Sequence, residues 1–469
     1  MNRSELNRRK FLGHSCALGL GSTAGITLTS SLLQLGLSRS AAAETASGPD
    51  DYRALVCILL AGGNDSFNML LPNDADQYAE YASLRSDLAL PQSQLLPLAG
   101  TTSEGRNFAL HPGMPEVQSL YASGDLAMIA NVGTLIEPVD AEAIAAGARI
   151  PLGLASHADQ IAQWQTAQPD TRSAQGWGGR IADLLGNQNA ANGISMSISL
   201  SGTNLFQAGQ DTVEYAISPD GNGAQGIFGY NDGSDFEEFR RLTIDGMLDV
   251  THSNLLRREY AERLRRSIAS QSVFTAALEQ SNVALPEFSA NPFSRALRQI
   301  ARTISARNEL GACRQTFFVL AGGWDHHDDV IDNQARMLPI ISRGLSEFRD
   351  ALTAIDVFDK VTTFTSSDFA RTLTSNGKGS DHGWGGHHMV MGGAVDGGQI
   401  YGDYPLLSAS SPLDVGRGVY VPTLSIDSYF AELALWLGVS PTELDRVLPN
   451  VGRFYSPGSS SPPLGFLLS

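Results

Sequence analysis

Three stretches of this chain run from apolar residues through small ones to an aspartate. Leu55–Leu60 leads into Ala61-Gly62-Gly63-Asn64-Asp65. Thr316–Leu320 leads into Ala321-Gly322-Gly323-Trp324-Asp325. Val361–Thr365 leads into Ser366-Ser367-Asp368. In an open α/β sheet the carboxyl ends of parallel strands line the ligand crevice. Three carboxylates delivered there repel one another unless a cation lies between them. A single Gly-Gly-x-Asp is ordinary turn chemistry. Three such turns on one edge predict a cation site.

The histidines strengthen that expectation. Beyond residue 43 there are eight, and five fall in two short segments, Asp325-His326-His327-Asp328-Asp329 and Asp381-His382-Gly383-Trp384-Gly385-Gly386-His387-His388. The first begins at a strand-end aspartate, and the second follows another after a polar loop. Imidazole with carboxylate is the ligand set of Zn²⁺, Mn²⁺ and Fe²⁺. Asp65, Asp325, Asp368, Asp381, His382, one of His326 and His327, and His387 or His388 are the expected ligands. Six or more ligands suit two metals about 3.5–4 Å apart, a clamp for in-line displacement at phosphorus or sulfur. The cation expected is Zn, with Mn or Ca as alternatives.

A nucleophile is offered by Ser156-His157-Ala158-Asp159, ahead of a short helical pattern. Ser156 reads as an N-cap with Asp159 in the capping-box position. A hydroxyl at a helix N-terminus also lies where anions bind, and a nearby metal would lower its pKa. Ser66, beside Asp65, is a second candidate. Arg371 could hold a substrate oxyanion with a bidentate fork, or serve a structural ion pair. Asn64 and Asn68 read as turn residues.

The elements that must position these groups alternate between strand and helix, which predicts an α/β fold with a largely parallel central sheet flanked by helices. Leu55–Leu60, Leu126–Val132, Thr316–Leu320 and Val361–Thr365 are continuous apolar runs, as expected of strands covered on both faces. Ile194–Leu200 and His388–Met391 are shorter. Helical patterns cover Met114–Ser123, His157–Ala167, Trp177–Leu185, Phe236–Gln280, Pro292–Asn308, Val330–Ala354 and Tyr429–Leu437, with Pro339 set to kink or split the sixth. Residues 44–469 read as a single domain, with a possible helical insertion near 220–282. Arg257, Arg258, Arg263, Arg265 and Arg266 read as a solvated helix face paired with Glu259 and Glu262.

These motifs resemble a known family. Ala61-Gly62-Gly63-Asn64-Asp65, Ser156-His157, Gly176-Trp177-Gly178-Gly179-Arg180, Gly323-Trp324-Asp325-His326-His327, Ser367-Asp368-Phe369-Ala370-Arg371-Thr372 and the Asp381–His388 run resemble the domain of unknown function 1501 family, in matching order over nearly all of residues 44–469. That family looks related to the alkaline phosphatase-like superfamily, which includes sulfatases and cofactor-independent phosphoglycerate mutases. The resemblance implies metal ligands at Asp65, Asp325, His327, Asp381, His382 and His387 or His388, with Ser156 as nucleophile. It implies a hydrolase of phosphate or sulfate esters of small molecules or glycans. A non-catalytic periplasmic binding or secretion-assembly protein of the same fold is the alternative. The chain departs from the pattern at Asp368-Phe369, where the superfamily has Asp-His. The assignment of Asp368 against Asp381 to one metal stays open.

The first 43 residues read as an address. Asn7-Arg8-Arg9-Lys10-Phe11-Leu12 is a twin-arginine pattern, followed by a weakly apolar stretch and by Ser40-Ala41-Ala42-Ala43, a small-residue cleavage site. The expected partner is the twin-arginine translocation machinery, and the expected location is periplasmic or secreted. The whole chain carries 32 basic and 49 acidic residues, net −17. Residues 44–469 are more acidic still, which argues against nucleic acid and anionic membranes as main partners. No later segment is apolar enough for stable membrane insertion. Cys57 and Cys313 lie in or beside strand patterns and read as core residues.

Overall fold

A computed structural model describes residues 51–468 except 101–104, 191–192, 222, 225, 227–229, 231–234, 282 and 409. The twin-arginine pattern and its cleavage site lie outside the described residues. Arg53–Ser469 forms one compact unit.

Nine strands make the central sheet. They are β1 Arg53–Ala61, β2 Leu126–Gly133, β3 Ser197–Ser199, β4 Tyr215–Ala216, β5 Arg314–Gly322, β6 Val361–Ser367, β7 Gly386–Met391, β8 Ile400–Tyr401 and β9 Leu424–Ser425. Their order is β8-β2-β7-β6-β1-β5-β3-β4, with β9 also paired to β2. Strand β1 lies parallel to both β5 and β6. Strand β7 runs antiparallel to β2 and β6, and every other pairing is parallel. This is the mostly parallel α/β architecture that the apolar runs predict. Leu55 to Leu60 are all buried, because helices cover both faces of β1.

The helical expectations differ mainly at their ends. The region expected as one helix over Phe236–Gln280 is two, Asp235–Leu248 and Leu255–Ser281. Pro339 stays inside an unbroken Val330–Ala354 helix. The last apolar helix starts three residues earlier than its pattern, at Ile426, where Ser425 caps it by accepting from the Ser428 N–H. Cys57 and Cys313 are both free thiols; burial pushes the Cys57 thiol up to about 12, against a weak bond to Ser366.

Because β5, β1 and β6 are adjacent and parallel, the turns after Gly322, Ala61 and Ser367 share one edge of the sheet. Glycine is required at the middle turn. Gly62 has φ +118°, and a Cβ there would stand 2.5 Å from the Asp325 backbone nitrogen. Left-handed strain and collision act together at this position. Gly62→Ala is expected to destabilise the chain by about 2 kcal/mol or more, read as a lower denaturant midpoint at unchanged m-value. An unchanged midpoint would show that the turn tolerates a side chain.

Candidate metal centre

The site is assembled from three places on that edge. Asp325 and His327 lie in the turn after β5. His382 ends the Ser380–His382 strand of a small hairpin, directly across from Arg371 in the Arg371–Ser375 strand. His157 is the first residue of the His157–Thr166 helix, whose N-cap is Ser156. Ala155, just before the cap, takes a left-handed φ of +68°. That turn presents the Ala155 carbonyl to the His382 ring, which donates from Nδ1 at 2.8 Å.

Four ligand atoms gather here. Asp325 Oδ1 lies 3.2 Å from His327 Nε2 and 3.4 Å from both His157 Nε2 and His382 Nε2. His157, Asp325 and His382 offer atoms within 4.8 Å of one another, and His327 Nε2 adds a contact of 2.9 Å to His382 Nε2. A tetrahedral Zn²⁺ with bonds of about 2.0–2.1 Å needs donor separations of roughly 3.3 Å. Among the described residues His157, Asp325 and His382 are the group of His, Cys, Asp and Glu side chains that could hold a metal ion, and His327 borders it.

The opposite nitrogen of each imidazole has its own partner. His157 Nδ1 lies 2.6 Å from Asp368 Oδ2, His327 Nδ1 lies 3.2 Å from Asp381 Oδ1, and His382 Nδ1 meets the Ala155 carbonyl. A carboxylate or a carbonyl can only accept, so each Nδ1 carries the proton. Each ring then points its Nε2 inward. The Nε2 atoms of His327 and His382 lie 2.9 Å apart, with Arg371 Nη1 3.5 Å from the former, and either a shared proton or a bound cation would join them. His157 Nε2 is buried without a hydrogen-bond partner. This is the outer arrangement that orients and strengthens metal-binding histidines, and the donor set fits a transition metal.

Charge is balanced mainly by arginine. Burial works to raise the Asp325 pKa, but Arg371, with His157 and His327, holds it at about 2. Asn376, against partial burial, then Arg417 and His327 bring Asp381 to about 2 as well. Burial lowers the His382 pKa despite its bond to Ala155, which favours the neutral, metal-ready ring.

The structure does not bring together every expected residue. Asp65 is fully buried, but its Oδ2 pairs with Arg85 at 2.6 Å and accepts from Ser380 Oγ at 2.9 Å. A guanidinium thus stands where a metal was expected. Asp368 points one oxygen at His157 and the other at the Gly62 N–H, so it fixes the His157 ring and is not itself in the cluster. Asp381 has the same task for His327. His387 and His388 lie on β7, buried on opposite faces: His387 stacks on Tyr404, and His388 packs against Trp164. Burial takes both pKa values down to about 3. Arg371 is fully buried and its nitrogens meet the carbonyls of Gly62, Gly63, Trp324 and Ser380 as well as Asp325, leaving no free fork for a substrate. A second metal centre is not assembled among the described residues.

Ser156 caps the helix, as its sequence position predicts. Its Oγ accepts from the Asp159 N–H at 3.5 Å, as a cap does. It also stands between Ala155 and His157, both of which touch the cluster. The ligand position of His157 was not among the residues expected from sequence, although it directly follows Ser156. Arg85 and Arg417 carried no signal, since each answers a carboxylate far away along the chain.

Fold and site together define an α/β protein with a three-histidine, one-aspartate cluster at the carboxyl edge of its central strands. Its sequence places it more narrowly: residues 52–442 match the family described as protein of unknown function (DUF1501), and the chain belongs to that family. No curated protein matches it. Solved structures similar in part include Ps i-CgsB, at 11% identity and TM-score 0.35 over 87% of this chain and 78% of that one. The same protein in complex with k-i-k-neocarrahexaose gives 10% and 0.33 over 82% and 72%. The lipoteichoic acid synthase LtaP from Listeria monocytogenes gives 9% and 0.27 over 81% and 78%. Likenesses this distant carry no functional argument.

Two measurements address the site. Elemental analysis of the purified protein is expected to find about one transition-metal ion per chain. Asp368→Asn should weaken its binding by about 10–100-fold, the usual effect of losing a ligand's outer partner, and His157→Ala by more. Separately, Arg85→Ala leaves the buried Asp65 carboxylate unpaired and should cost about 3–5 kcal/mol of stability in denaturant titration, with metal content preserved in the folded fraction.

Proposed function

We propose that this chain is an exported metal-dependent hydrolase of phosphate or sulfate esters, carried by small molecules or glycans. The observation that carries the reading is the convergence of three imidazole Nε2 atoms on the Asp325 carboxylate, each imidazole fixed from behind. Zn²⁺ fits that donor set best. The order of Asp325, His327 and His382, with Ser156 upstream, resembles the alkaline phosphatase-like pattern. The twin-arginine pattern in the first 43 residues supports periplasmic delivery or secretion of a protein folded with its metal.

His157, His327, His382 and Asp325 would hold the ion. When bound, it supplies a Lewis acid that polarises the ester oxygen and lowers the pKa of a neighbouring hydroxyl. Asp368 and Asp381 keep the proton on the Nδ1 atoms of His157 and His327, so both rings stay aligned. Asp325 and His327 are nearly half exposed, at 48% and 45%, which leaves the site open to a substrate from the solvent side. Ser156 supplies the nucleophile. It sits at the positive end of a ten-residue helix, where a tetrahedral anion is favoured. Two metals are not needed for this arrangement.

The test uses aryl phosphates and aryl sulfates with the metal-loaded protein. Ser156→Ala should lower turnover by at least about 100-fold, the scale of losing one catalytic group, with metal content unchanged. Full turnover in that variant would remove Ser156 from the reaction and leave a water as nucleophile. No turnover of either ester by the metal-loaded parent would sink the hydrolase reading.

A further inference from the structure

Asp427, in the first turn of the Ile426–Leu437 helix, is fully buried, and neither of its carboxyl oxygens has a hydrogen-bond partner. The metal cluster makes no use of it. An ionised carboxylate in this position would give up its hydration and gain no hydrogen bond in return, so the neutral acid is the form that fits. The charged groups that face it are Arg180 of the Trp177–Leu185 helix, Arg453 of the short Val451–Arg453 helix, and Asp170 in the segment after the His157–Thr166 helix. Neither arginine reaches it within hydrogen-bond distance.

Both guanidinium groups are engaged elsewhere. Arg180 is buried and donates to three backbone carbonyls, from Nε to Val447 at 2.7 Å, from Nη1 to Gln175 at 2.8 Å and from Nη2 to Thr166 at 2.5 Å. Arg453 donates to the Ile136 carbonyl and to Asp170, which Asn450 also holds. Thr166 is the last residue of the helix that begins with His157. The carbonyls at a helix C-terminus lack partners within the helix, and a cation there also answers the negative end of the helix dipole. Arg180 therefore secures the far end of the helix that supplies a metal ligand.

We infer that Asp427 is a proton-operated latch: as the neutral acid it leaves Arg180 on the Thr166 carbonyl, and on ionising it draws that guanidinium away and loosens the helix that carries His157 and is capped by Ser156. A charge-assisted bond between guanidinium and carboxylate outweighs a bond to a neutral carbonyl, which gives the competition its direction. Burial lifts the Asp427 carboxyl from 3.8 to about 8, against the pull of Arg453 and Arg180. Between those values the folded chain holds this proton and the unfolded chain has released it. The contribution to stability is therefore complete below pH 3.8 and is lost as pH rises to about 8.

Three measurements on the purified full chain test this. At about pH 6, where ordinary carboxyls are ionised, the parent should show an infrared carboxylic-acid band that vanishes at about pH 9 and is missing from Asp427→Asn. In denaturant titrations the unfolding constant of the parent, relative to Asp427→Asn, should rise about tenfold per pH unit from about pH 5 to about pH 8 and then level off. Amide exchange in residues 157–166 should be at least about tenfold faster in the parent than in Asp427→Asn at about pH 9, and equal in the two at about pH 6. Parallel stability profiles, or no band at the lower pH, would overturn the neutral acid. Equal exchange at the higher pH would overturn its link to the helix. If Asp427→Asn does not fold, the band in the parent and the parent's own loss of protection at 157–166, corrected for the intrinsic exchange rate, decide the same two points.

Discussion

The guanidinium of Arg371 is the tie on which the site's geometry depends. It is fully buried, and it donates to the carbonyls of Gly62 and Gly63 after β1, to the carbonyl of Trp324 and the carboxylate of Asp325 after β5, and to the carbonyl of Ser380 in the small hairpin. Three separate turns are thereby fixed to one planar group. A planar fork with five fixed donors can do this, whereas a lysine ammonium cannot. Its charge also settles the state of Asp325, which stays ionised within reach of three imidazoles. The Trp324 N–H, which donates to the Ala61 carbonyl at 3.2 Å, adds a backbone link between the β5 turn and the end of β1.

Much of the frame was legible in the sequence because central parallel strands are apolar on both faces and cannot be mistaken for amphipathic helices. The three Gly- or Ser-to-Asp junctions lie on adjacent strands as their echo implied. What the residues could not disclose was which cation answers each carboxylate. The expectation of a shared metal treated Asp65, Asp325 and Asp368 as equivalent. In the fold each has a different partner: Arg85 for Asp65, Arg371 for Asp325 and His157 for Asp368. Arg85 ends a helix that only tertiary packing brings under the β1 turn, and spacing along the chain carries no trace of that.

The histidines divide by the same logic. His382 stands at a hairpin end and His327 in a turn, so both rings can lean over the sheet edge. His387 and His388 lie within β7, where successive side chains stand perpendicular to the sheet on opposite faces. Neither can reach an edge cluster, however closely it follows His382 in sequence. His157 was hidden for another reason. The Ser156–Asp159 segment already has a complete local explanation as a helix cap, and a residue inside a satisfied local motif gives no sign of a second, long-range task.

The small hairpin shows how ligand and strut are kept in step. Arg371 faces His382 across the Arg371–Ser375 and Ser380–His382 strands. In an antiparallel pair the register sets which side chains share a face, and a slip of one residue sends a side chain to the other. The group that fixes Asp325 and the ring that joins Asp325 at the cluster are therefore set by a single pairing. Gly383 reinforces that register, since its amide donates to the Ala370 carbonyl at 2.7 Å and a Cβ there would stand 2.7 Å from the same oxygen. The hairpin must close in its native register for the cluster to form at all. Assembly of the ligand set is thus coupled to folding of the edge, and the cluster arises only in the chain that has already placed its strands.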